Sequence, residues 1–305
     1  MILDHMARET GLPVGKLATI VRTSDNRYMT YPVEKRGGGV RWISQPSKRL
    51  KFVQRWMVRR IFSEFYVHPS CTAYRTGAGI RHNAETHATS KYLLKLDFRN
   101  FFPSITEHDV RRLILDNIDN AYKYDAGDEI IVSNAVCLNG ALTIGAPSSP
   151  VISNVILSKF DLEVNEYCEE RKMSYTRYAD DITISGNDKE GVPLALGVIR
   201  ETLARMDYPR LYLNEDKTAY VSKKHRRIVT GLVLTSDNRV SVGRAKKREL
   251  KSLVFMFKNS DLERDKIDYL KGWISYVNSV EPDFIKALNR KYGTQVLDRL
   301  SDYRA

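Results

Sequence analysis

The chain has 305 residues, with 49 basic side chains against 37 acidic ones, a formal net charge of +12 and a pI near 9.5. No stretch is apolar and long enough to span a membrane, the first ten residues are too charged for a secretory signal, and Cys71, Cys137 and Cys168 lack the CxxC pairing of a zinc site. These exclusions leave a cytoplasmic protein with reduced thiols, two or three subdomains and either a polyanion-binding surface or a merely basic one.

In chain order, Val14, Leu17, Ala18 and Val21 recur at helical spacing, which predicts a short amphipathic helix over 12–22. Residues 28–34 and 40–44 read as strands around a flexible turn at 35–39, the second stopped by Pro46. Such a basic hairpin can fold over a triphosphate with Arg41 as the contact, or be an exposed solubilising loop. A helix over 47–62 sets Leu50, Val53, Met57 and Ile61 on one side. Lys51, Arg55 and Arg59 recur on another, either tracking a phosphate backbone or forming a solvated face. Residues 73–79 contain glycines without the spacing of a nucleotide-binding fingerprint. Asn83-Ala84-Glu85-Thr86-His87 follows, and on chemistry alone His87 is better read as a satisfied structural histidine.

Residues 91–96 form an apolar strand ending in Asp97, followed by Phe98 and then Phe101-Phe102-Pro103-Ser104. Thr106 with Asp109 offers a helix N-cap. Gly145-Ala146-Pro147-Ser148-Ser149-Pro150 opens a helix carrying Ile152, Val155, Ile156 and Phe160, with Ser148 or Ser149 as cap. A glycine turn at such a helix start can accommodate a base pair or a phosphate. Residues 173–177 and 182–185 read as a hairpin with Tyr178-Ala179-Asp180-Asp181 at its tip. Aspartate is a common turn residue, but two adjacent carboxylates also suit Mg²⁺, which takes hard oxygen ligands. Asp97 adds a third acid, and three can hold two metals that activate an attacking hydroxyl and stabilise leaving pyrophosphate. Tyr212-Leu213-Asn214-Glu215-Asp216-Lys217 and Val229-Thr230-Gly231 come next. A helix over 244–258 turns Leu250, Leu253, Val254 and Phe257 to a core, and residues 271–276 with a helix over 284–292 complete a helical module. Lys247, Lys251 and Lys258 lie opposite that core, to grip a duplex or structured RNA, or as a solvated face.

The segments at 96–104, 145–150 and 178–181 resemble, in order and approximate spacing, the palm motifs of reverse transcriptases. Asn-Ala-x-x-His at 83–87 and Val-Thr-Gly at 229–231 further resemble segments characteristic of retron reverse transcriptases. The resemblance covers about residues 19–292. It implies an α+β right-hand polymerase with fingers over 1–90, a ferredoxin-like palm over 91–240 (with a fingers segment around 117–145) and a helical thumb over 241–305. It implies an RNA-directed DNA polymerase in which Asp97, Asp180 and Asp181 are catalytic and, with the Phe98 carbonyl, hold two Mg²⁺ ions. Arg41, Arg75, Phe102, Gly145 and Lys217 would meet the dNTP, Phe102 crowding a ribonucleotide's 2′-hydroxyl. Lys51, Arg55, Arg59, Asn83, His87, Lys247, Lys251 and Lys258 would meet nucleic acid. The implied partners are a cognate structured non-coding RNA, its cDNA product in a branched DNA–RNA hybrid, and a separate effector protein in bacterial antiphage defence. Many relatives carry Gln before the glycine of the 145–150 segment, where this chain has Ile144. Another prokaryotic class, such as the group II intron enzymes, and a catalytically silent RNA-binding scaffold are the competing readings; the intact three-aspartate set argues against the scaffold.

Overall fold

The computed structural model describes residues 1–35, 38–117 and 125–303. Arg36 and Gly37 of the expected turn, and 118–124 of the expected fingers segment, lie outside them. Two short helices come first, α1 (Ile2–Thr10) and α2 (Val14–Arg22). Strands β1 (Tyr28–Glu34) and β2 (Val40–Pro46) pair antiparallel, Val33 facing Arg41 and Tyr28 facing Pro46. Pro46 is thus the last strand residue, a position where its missing N–H is tolerated. Helix α3 (Lys48–Arg60) is N-capped by Ser47 and buries Leu50, Val53, Trp56 and Met57. Next come α4 (Ile80–Thr86), β3 (Tyr92–Asp97), α5 (Glu107–Asp116) and α6 (Asp128–Val136). The capping box expected at Thr106 and Asp109 opens α5.

The helix expected after Pro150 is two helices, α7 (Ser149–Ile156) and α8 (Ser158–Glu170), broken at Leu157. Neither serine caps α7: Ser148 makes no side-chain cap bond, and Ser149 Oγ instead accepts from the Thr143 N–H. Strands β4 (Ser174–Tyr178) and β5 (Asp181–Gly186), helix α9 (Gly191–Arg205) and strand β6 (Ala219–Ser222) follow. Together β4-β5-β3-β6 form one antiparallel sheet. With helices between β3 and β4 and between β5 and β6, this is the β-α-β-β-α-β order of a ferredoxin-like layer.

Period-2 alternation divides the two faces of that sheet. Leu94, Leu96, Tyr175, Ile182 and Ile184 join the largest apolar core, shared with α3, α8 and α9. Lys95, Asp97, Thr176, Asp181, Thr183 and Ser185 face the other way. Part of that second face is covered by α4 and a small sheet of β7 (Arg227–Val229), β8 (Leu232–Leu234) and β9 (Val240–Ser241). Ala84, Leu93, Val229 and Leu232 form a core there with Val280. The C-terminal helices α10 (Arg244–Lys258), α11 (Arg264–Val280), α12 (Pro282–Tyr292) and α13 (Thr294–Asp302) enclose a core of their own, built on Leu250, Val254, Leu270, Val277, Leu288 and Leu300.

Candidate active site

Three carboxylates meet at one end of the four-stranded sheet because of its register. Asp97, last in β3, lies directly opposite Asp181, first in β5. Tyr178 pairs with Asp181, which leaves Ala179-Asp180 as a two-residue connection. Ala179 has φ 56° there and is buried, a left-handed conformation that such connections normally give to glycine or asparagine. The Phe98 N–H donates to the Asp180 carbonyl at 3.1 Å, locking the end of β3 to the turn. The Phe98 ring stacks on Phe101, with centroids 5.6 Å apart.

Both turn aspartates are half-buried and resist ionisation. Burial raises the Asp180 carboxyl, with Asp97 adding repulsion. Burial, then Asp180, then Asp97 push Asp181 up to about 6. Lys217 sits on Asp97, its Nζ 2.9 and 2.8 Å from the two carboxylate oxygens, and that bond raises the lysine. The Arg41 and Lys95 charges favour ionised Asp180 and Asp181 respectively. Clustered hard oxygen donors whose ionised form is disfavoured by burial and mutual repulsion fit a divalent cation. The arrangement is open: among the described residues no three His, Cys, Asp or Glu groups converge as a ready-made metal cage, and the Lys217 ammonium holds both oxygens of Asp97. Lys217 has a side chain 59% exposed, so an incoming cation can displace it into solvent.

Of the other expected contacts, Arg41 is exposed on β2, close enough for its charge to act on Asp180 and on Tyr74. Tyr74, an exposed residue at φ 56°, brings its ring to 6.3 Å from Tyr178 and is a site neighbour that sequence alone does not single out. Arg75 is drawn elsewhere: its Nη1 donates to the carbonyls of His68 and Cys71, fixing its own loop. Phe102 is half-buried, 5.2 Å from Phe101, and edges the core behind Asp97. Gly145 is a close-approach glycine. It has φ 113°, and a Cβ there would stand 2.7 Å from the Ser44 carbonyl of β2. The Ser44 N–H also donates to the Ile144 carbonyl at 2.8 Å, so this turn is where the β1–β2 hairpin docks. Lys51, Arg55 and Arg59 line a groove on α3 with Phe52 and Pro147.

Asn83 and His87 do not reach solvent, which corrects their assignment to nucleic acid. His87 is fully buried, Nδ1 2.7 Å from Ser185 Oγ and Nε2 2.7 Å from Thr176 Oγ1. Thr176 Oγ1 donates to Asn83 Oδ1, and Asn83 Nδ2 donates to Thr230 Oγ1 at 3.3 Å. The Asn-Ala-x-x-His and Val-Thr-Gly segments are thus joined by one buried network that packs on the β4–β5 hairpin. Lys247 is corrected in part: it is ion-paired with Glu281 and lies over the Phe284 ring, whereas Lys251 and Lys258 remain exposed.

The network makes His87 a pH liability. Burial depresses its pKa from 6.5 to about 3, so the folded protein keeps it neutral while the unfolded chain takes a proton as pH falls through 6.5. Stability present above that value is lost on acidification. The stability gap between wild type and His87→Asn should therefore narrow by about 2 kcal/mol from pH 7 to pH 5. Urea unfolding at the two pH values checks this, and a constant gap would contradict it.

A family model described as reverse transcriptase (RNA-dependent DNA polymerase) matches residues 33–270. The chain belongs to the reverse transcriptase family. It is 39% identical over 281 residues to the retron Ec83 reverse transcriptase of Escherichia coli, with 90% of each protein covered. To the retron Ec86 reverse transcriptase of the same species it is 31% identical, covering 97% of this chain and 92% of that one. These relatives place the reverse transcriptase described here in the retron group and make it an RNA-directed DNA polymerase. Among solved structures, telomerase from Candida tropicalis in complex with a TWJ fragment of telomeric RNA aligns with a TM-score of 0.54 at 11% identity. It covers 93% of this chain, which spans 58% of that longer protein, and it speaks for the shared right-hand polymerase fold alone. No helix among the described residues is long and apolar enough to cross a membrane.

Proposed function

We propose that this reverse transcriptase copies a cognate structured RNA from a guanosine 2′-hydroxyl, giving a branched multicopy DNA–RNA hybrid that works with a separate effector in antiphage defence. The observation that carries the chemistry is the meeting at one sheet end of Asp97, buried and held by Lys217, with half-buried Asp180 and Asp181, whose carboxyls resist ionisation. The branched priming and the defensive role rest on the retron relatives. We divide the chain into fingers (1–90, with 117–145), palm (91–240) and thumb (241–305), the last supported by its separate core.

In this reading Asp97, Asp180, Asp181 and the Phe98 carbonyl hold two Mg²⁺ ions, which when bound supply an activated primer hydroxyl and a stabilised leaving group. Lys217 leaves Asp97 and turns its ammonium toward the triphosphate. Arg41 closes over the same triphosphate from the β1–β2 hairpin, and Arg75 joins only by releasing its loop carbonyls. Gly145 seats that hairpin beside the nucleotide. Lys51, Arg55 and Arg59 take the template backbone, and Lys251 and Lys258 take the duplex or RNA stem.

Phe102 is assigned the exclusion of ribonucleotides. Phe102→Ala should lower the dNTP-over-rNTP preference in kcat/KM by about 10-fold to 100-fold, since a lost steric contact is worth on the order of 1–3 kcal/mol. An unchanged ratio in an active variant would return Phe102 to packing alone. For the function as a whole, RNA and DNA recovered with the purified protein should contain one RNA species, extended on addition of dNTPs and Mg²⁺ without an added primer. Synthesis that always demands an external primer would favour another reverse transcriptase class.

A further inference from the structure

Behind the catalytic turn lies a buried ion pair that the assignments above do not use. Arg177 is in β4, on the face opposite the carboxylates, and Asp161 is in α8; both side chains are 0% exposed. Arg177 Nε donates to Asp161 Oδ1 at 2.8 Å, and Nη2 donates to Oδ2 at 2.6 Å. The Tyr175 hydroxyl also donates to Oδ1, at 2.6 Å. The remaining arm of the guanidinium, Nη1, donates to the Ala179 carbonyl at 3.1 Å. That carbonyl belongs to the peptide joining left-handed Ala179 to Asp180.

Burying two ions is costly, and a packed apolar pair of similar size generally serves stability as well or better. Docking of α8 on β4 therefore does not call for charge. What only arginine supplies here is geometry: a planar fork that two bonds to one carboxylate hold rigid, with a further N–H aimed in a fixed direction. A lysine in its place would keep the charge and lose the aimed donor.

We propose that Arg177 is a positioning residue for DNA synthesis: anchored by Asp161, it clamps the Ala179 carbonyl and so fixes the peptide that orients Asp180. The idea rests on Asp180 being a metal ligand. It predicts that the clamp sets how well the carboxylates meet Mg²⁺ and the reacting atoms, and leaves nucleic-acid affinity alone.

The test compares wild type, Arg177→Lys and the double variant Arg177→Met/Asp161→Leu, all as full-length chains. Single-nucleotide incorporation on a primed RNA is measured across Mg²⁺ concentration, beside the melting temperature. Expected are a drop in kcat of tenfold or more in both variants, a several-fold higher half-saturating Mg²⁺, and an unchanged Kd for primer–template. The double variant should stay folded and melt several degrees below wild type, because it also takes their partners from the Tyr175 hydroxyl and the Ala179 carbonyl. A folded variant with wild-type kcat and Mg²⁺ dependence would overturn the proposal, and so would failure of both variants to fold, which would make the pair a folding element. Wild type that needs no divalent ion would instead sink the metal assignment of Asp180.

Discussion

Replacing Asp180 and Asp181 together by asparagine is expected to abolish DNA synthesis, by about 10³-fold or more, without loosening the fold. Metal-derived stabilisation of the reacting charges is worth several kcal/mol, and each 1.36 kcal/mol is tenfold in rate. Asparagine keeps the shape of aspartate and removes its charge. Because the buried carboxyls resist ionisation, the variant should melt at or above the wild-type temperature when no divalent ion is present. Mg²⁺ should then stabilise wild type, by about 1.4 kcal/mol at ten times its Kd, and leave the variant unmoved. Primer extension and thermal melts with and without Mg²⁺ read both effects. Extension near the wild-type rate, or an equal Mg²⁺ shift in the variant, would remove these residues from the metal site.

Gly145→Ala should do the second-largest damage, and by a different route. The added Cβ would meet the Ser44 carbonyl at 2.7 Å and Ile43 Cγ2 at 2.9 Å, on a backbone held at φ 113°. Strain at such a φ costs on the order of 1–3 kcal/mol, and overpacking a similar amount again. The cheapest relief is for the β1–β2 hairpin to lift away, breaking the bond from Ser44 to Ile144. That takes Arg41 with it. We therefore expect a melting temperature several degrees lower and a KM for dNTP raised tenfold or more, with primer–template affinity little changed. Wild-type KM and stability would mean that the turn yields without disturbing the hairpin.

The hairpin that carries Asp180 and Asp181 was legible because strand alternation and two adjacent acids coincide within one short stretch, 173–185, and β1, β2 and α10 for similar local reasons. Other elements carry no such signal. Helix α6 has no distinct apolar side, burying Asp128 and Ser133 along with Val132, Ala135 and Val136, and Pro193 and Gly197 interrupt the pattern of α9. Nothing like glycine or proline marks the break at Leu157 between α7 and α8. The site residues that sequence misplaces are those whose partners are far along the chain. The chemistry of His87 alone points to a satisfied interior histidine, and it is the family resemblance that casts Asn83 and His87 as nucleic-acid ligands; their partners Thr176 and Ser185 lie some ninety residues on. Lys247 falls on an outward helix face until Glu281 captures it. Arg177 reads as a basic residue beside a motif, and only the fold reveals Asp161 beneath it. Distant pairings of this kind leave no local periodicity.

The most direct test of the proposed function is the chemistry of the junction between RNA and DNA in the product. Nucleic acid recovered from wild-type protein should carry DNA joined to an internal guanosine of one RNA. Treatment with a 2′,5′-debranching activity should release that DNA as a discrete shorter species, absent from preparations of the Asp180→Asn/Asp181→Asn variant. DNA that is linear before and after treatment, or that accumulates equally with the variant, would contradict branched priming by this three-carboxylate site.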